Sequence, residues 1–209
     1  MAIFALPPPD HELVTIGTLH VATGRIVACD PFAGAGAMAF SERIAPGDFP
    51  VRLHRVGCGE MGVRVASAWL MIQPGATIVT LEAAALEHNG PVGYFVDSGL
   101  GAFMDAAARA ELVKVIDAFY QAHPDGNYYT DMLAPGFACN ASAPGAIGDW
   151  LMHRIPGTAH NMALFASGLG DGAYSSYWGR DSHGEIVALV TDFGVRQQVT
   201  GRSPGPAYP

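Results

Sequence analysis

Glycine and proline interrupt this chain so often that few stretches remain in which a long helix can run. The 209 residues hold 26 glycines and 15 prolines, spread along the whole length. Between these breaks lie short apolar runs, the rhythm of an all-β or β-dominated α+β fold. Half of the residues are hydrophobic and only 14% are charged, so one domain spanning 1–209 can bury a large core.

Strands are expected at 13–21 and 25–29, joined by Ala22-Thr23-Gly24 as a tight hairpin turn. Asp30-Pro31 stops the second strand, because proline cannot donate to a ladder. Residues 32–40 read as loop. Further strands are expected at 49–56, 63–72, 92–97 and 101–104; 77–86 begins as a strand and ends as a short helical turn at 82–85. The one strong helix covers 105–121, with Asp105 as N-cap and Leu112, Ile116 and Phe119 on one apolar stripe. Residues 127–157 form a loop-rich insert, long for a structureless loop and open to short helices or to a mobile flap. Strands at 161–167, 174–180 and 185–193 follow, the last two joined by Asp181-Ser182-His183-Gly184. Residues 1–11 and 196–209 read as loosely ordered tails. Together these imply a β-sandwich or strongly curved antiparallel sheet with one amphipathic helix packed on it.

The formal net charge is −8, from nineteen acidic and eleven basic residues with no basic stripe. Nucleic acid and anionic membrane surfaces are therefore not expected as partners. The first nine residues lack a basic segment and reach three consecutive prolines, which does not read as a signal peptide. The three cysteines, Cys29, Cys58 and Cys139, are far apart and odd in number, which argues against a disulfide framework. A cytoplasmic location and no cofactor are the resulting expectations.

Three segments carry a resemblance: Gly17–Pro31 (GTLHVATGRIVACDP), Val96–Asp105 (VDSGLGAFMD) and Gly168–Phe193 (GLGDGAYSSYWGRDSHGEIVALVTDF). Their order and content resemble the bacterial family called domain of unknown function 4241. The most specific piece is Gly170-Asp171-Gly172-x-Tyr174-x-x-Tyr177-Trp178-Gly179-x-Asp181. The resemblance implies no activity and no catalytic residues, as the family's name says.

Chemistry is sought in the residues themselves. Gly170 and Gly172 permit positive φ and close backbone approach, either for a ligand or simply for a sharp strand connection. Tyr174, Tyr177 and Trp178 offer an aromatic wall beside that loop, or a plain core. Asp181 and His160 are candidate polar contacts to a ligand. Asp171, Asp97 and Asp105 sit at strand ends and turns, where a carboxylate pair can do acid/base work or hold a divalent cation. Each also has a local role open to it, Asp105 as helix cap and Asp171 in an Asx-turn. The leading expectation is a binding module with its ligand or partner site at the GxGDGxYxxYW rim. A carboxylate hydrolase and an acidic, immunity-type protein that neutralises a toxin are the alternatives.

Overall fold

The structure, a computed structural model, describes residues 11–33, 36–89, 93–141 and 148–195. The strands, in chain order, are β1 (His11–Val21), β2 (Ile26–Cys29), β3 (Gly47–Gly57), β4 (Val63–Met71), β5 (Thr80–Ala83), β6 (Tyr94–Val96), β7 (Leu100–Asp105), β8 (Trp150–Arg154), β9 (Asn161–Ala166), β10 (Gly172–Arg180) and β11 (Ile186–Asp192). The helices are α1 (Ala106–Ala122) and α2 (Ala134–Ala138), and α2 continues directly from a π-helical turn at Tyr129–Leu133. The architecture is β-dominated α+β, with two antiparallel sheets. The larger runs β1-β3-β4-β11-β10-β5, with β6 also on β10, and the smaller runs β2-β7-β9-β8.

Both sheets contribute to one core. Leu19, Leu53, Leu70, Trp178 and Leu189 of the larger sheet meet Ile26, Ala28, Phe103 and Phe165 of the smaller. On the far face of the smaller sheet, Val27, Cys29, Met104 and Met162 pack with Ala108 and Leu112 of α1 and with Tyr128 and Phe137. The smaller sheet is therefore covered on both faces. This explains why β2 and β7 are buried at every residue and read as nearly unbroken apolar runs. The cap of α1 is as the sequence implies: the Asp105 carboxylate accepts from Ala107 N.

The two sheets are also stitched at one corner. The Asn161 amide at the start of β9 donates to Thr18 O at 2.8 Å and accepts from His20 N at 2.9 Å. Its side chain thus satisfies the outer edge of β1 as a neighbouring strand would.

Several local expectations change. Ala22-Thr23-Gly24 is not a hairpin, because β1 pairs with β3 while β2 pairs with β7. The turn is a corner at which the chain leaves one sheet for the other. It is pinned by Thr23, whose N–H and hydroxyl both donate to Asp105 Oδ2 at 2.8 Å. The helical turn expected at 82–85 is instead the end of β5, where Leu81, Glu82 and Ala83 pair with Gly179, Trp178 and Tyr177. The described part of the insert 127–157 holds short helices, the π-helical turn and α2, and adds an unexpected strand, β8, which forms the edge of the smaller sheet against β9. Residues 1–10 and 196–209 of the expected tails lie outside the described residues, whereas His11 begins β1 and its Nδ1 lies 2.7 Å from His54 Nε2.

Candidate functional site

The glycine loop folds down onto the core. Gly168 has φ +63, and a Cβ there would lie 2.8 Å from both Phe193 Cβ and Val195 Cγ2. Gly170 N donates to Ser167 O, and Ser167 Oγ donates back to Gly170 O at 2.8 Å. The Tyr174 hydroxyl lies within reach of two acceptors, Gly170 O at 2.7 Å and Ser167 O at 3.0 Å. Burial raises the pKa of that hydroxyl, so it stays a donor. Its ring packs edge-on against Phe193 at 5.0 Å. Trp178, on the same strand face, is fully buried against Phe40. Only Tyr177 of the three rings keeps partial exposure. Tyr174 and Trp178 are thus core residues rather than an open aromatic wall. Adjacent strand positions alternate faces, so the exposed and buried rings separate.

The three candidate carboxylates do not all converge: Asp171 and Asp97 come together, and Asp105 does not. Gly172 pairs with Val96, so the exposed Asp171 and Asp97 flank one β-pair. Asp105 lies at the opposite end of β7, six residues long, or about 20 Å at 3.3 Å per residue. It is fully buried, and its oxygens accept from Ala107 N, Thr23 N and Thr23 Oγ1. Such a carboxylate is a structural cap, not a catalytic group. Asp181 accepts from His183 N and Glu185 N in the β10–β11 turn. Burial pushes its pKa up, but these donors outweigh that and hold it below the usual carboxylate range. His160 precedes β9, whereas the glycine loop follows it, so the length of that strand separates them. His160 Nδ1 is buried without a partner.

A different carboxylate organises a region where walls of several elements meet. Asp30 is 4% exposed at the end of β2. Its Oδ1 accepts from Phe32 N at 2.8 Å, and its Oδ2 accepts from Asp97 N at 3.0 Å and Ser98 N at 2.9 Å. Arg109, buried on α1, donates to Pro31 O at 3.3 Å and to Ala33 O. These two charged groups hold the 30–33 and 97–98 loops in fixed positions. Next to Arg109 and Asp30, burial pushes the Cys29 thiol up to about 12, which makes it an inert core group.

The bracketed loops form two walls of a cleft with a cavity volume of about 470 Å³. It is lined by Phe32, Ser98 and Leu100, by Ile116 and Tyr120 of α1, and by Asn127 and Tyr129. That volume lies in the range of small-molecule sites. The Tyr120 hydroxyl accepts from Tyr128 N at 3.4 Å, and Tyr128 is itself buried edge-on against Phe119 with its hydroxyl unpartnered. The cleft adjoins the glycine loop, since Ser167 N donates to Gly99 O, one residue from Ser98. A second cavity, of about 230 Å³, is lined mainly by small and apolar residues including Cys29, Ala37 and Tyr94.

Sequence reasoning missed this cleft. Asp30 was legible only as a strand stop, although an Asp two residues before Phe32 fits an Asx-turn. Arg109 had a stronger signal: a charge three residues before Leu112, on the apolar stripe of the helix. Among the described residues, no group of three or more His, Cys, Asp or Glu side chains is placed to hold a metal ion, and no helix is long and apolar enough to cross a membrane. Residues 19–191, most of the chain, match the family described as "Protein of unknown function (DUF4241)". No curated protein and no solved structure matches the chain.

Proposed function

The chain belongs to the DUF4241 family, and since that membership assigns no activity, we propose from the geometry that it is a ligand-binding module whose site is the cleft between α1, the 97–100 loop and the 127–129 segment. One observation carries this reading: a single buried carboxylate, Asp30, holds the backbone of two cleft walls at once. Fixing both walls in the absence of ligand lowers the ordering cost of binding. The π-helical turn that begins at Tyr129 supports it, because such turns are frequent at functional sites. The rim of the glycine loop keeps a part as the support behind Ser98 and Leu100, with Asp97 and Asp171 on its solvent side. The carboxylate-hydrolase alternative loses Asp105 to the helix cap.

The test is a thermal-shift and ligand-observed NMR screen of small fragments against the full chain and against Ser98→Trp, in which an indole fills the cleft. Fragments that raise the apparent melting temperature of the unaltered chain and not of Ser98→Trp place binding there. Hits that bind both proteins equally would remove the proposal.

A further inference from the structure

Resting on the cleft as a binding site, we infer that its ligand is a small organic cation with a flat apolar body, such as an aromatic or quaternary amine. Phe32, Tyr120 and Tyr129 supply three aromatic rings among the seven lining residues. None of the seven carries a charge. The guanidinium of Arg109, behind the Phe32 loop, is committed to the carbonyls of Pro31 and Ala33. Among the described residues, an anion entering the cleft therefore meets no cation in its lining.

The surroundings are acidic. Asp97, Asp117, Asp125 and Asp131 are all exposed and each lies within two residues of a lining residue. Asp131 also touches one directly, accepting from Asn127 N at 3.0 Å. The basic side chain within the same reach, Lys114, is paired with Glu111 at 2.8 Å. Exposed carboxylates thus outnumber free cations along the described segments that line the cleft, a balance that favours the approach of a cation. Ring faces attract a cation that has left water, and the apolar walls at Leu100 and Ile116 suit its hydrocarbon part. An anionic or strongly hydrated ligand gains neither interaction.

Benzylammonium, benzyl alcohol and benzoate share one shape and differ in charge, so they isolate the inference. Their affinities are measured by titration calorimetry and NMR on the full chain, on Ser98→Trp, on Tyr120→Leu and on Asp97→Asn, with circular dichroism confirming that each variant is folded. Benzylammonium is expected to bind roughly tenfold more tightly than benzyl alcohol, with benzoate weakest. Its advantage shrinks as salt rises from about 0.02 to about 0.5 M. It also shrinks in Asp97→Asn, while Tyr120→Leu weakens the cation most. Equal or tighter binding of benzyl alcohol or benzoate, lost in Ser98→Trp, overturns the charge assignment and leaves the cleft reading intact. Binding of the series that ignores Ser98→Trp, or no binding at all, overturns both.

Discussion

Replacing Asp30 by alanine tests the bracket most directly. The carboxylate accepts three backbone hydrogen bonds of 2.8, 2.9 and 3.0 Å. Bonds to a charged acceptor contribute about 1.5–3 kcal/mol each. Their loss would cost roughly 4.5–9 kcal/mol if every freed N–H stayed dry. Asp97 and Ser98 are exposed residues, so their N–H groups recover water, which offsets about half of the loss. The expected destabilisation is about 3 kcal/mol, or a fall in melting temperature of roughly 6–12 °C for a chain of this size. Asparagine is not a benign replacement, because its NH₂ group would face one or more of the same donors. The assay is urea unfolding combined with amide hydrogen exchange. The amides of Phe32, Asp97 and Ser98 should lose protection far more than those of β4. A variant within about 0.5 kcal/mol of the unaltered chain, with unchanged exchange at these three amides, would refute the bracket.

Asp105→Ala should cost about 3 kcal/mol by urea unfolding, since it strands a helix N-terminus and the Thr23 corner together; Thr23→Val should cost about 1 kcal/mol, and the two losses should be less than additive. Gly168→Ala should destabilise by about 3 kcal/mol, because positive φ and contact with Phe193 and Val195 act together. Gly99→Ala, at φ +69 in open space, should cost only about 1–2 kcal/mol, and equal losses at both positions would refute the packing at 168. His153 has its pKa lowered by burial, and its Nε2 is buried without a partner. The unfolded chain therefore takes up this proton first as pH falls, so the stability seen above pH 6.5 declines below it. His153→Leu should flatten that part of the profile measured by unfolding at a series of pH values; an unchanged slope would assign it to other groups.

The sequence by itself determined most of the elements. An alternating apolar run marks β3, and continuous apolar runs bounded by glycine, proline and polar turns mark β4 and β11, which are buried at consecutive residues. The cap and stripe of α1, and the 181–184 turn, are equally local, since their hydrogen bonds close within a few residues. What only the tertiary structure decided is which elements meet. Ala22-Thr23-Gly24 has the composition of a hairpin, yet the partner of β2 is β7, far along the chain, and no local pattern encodes that choice. Trp150 to Arg154 form a strand because β9 offers them an edge. Asp30 becomes the organiser of a cleft only when Phe32, Asp97 and Ser98 are brought to it. A side chain's chemistry is local, but the groups that use it are assembled by packing over the whole chain, and the candidate site here is made of such long-range contacts.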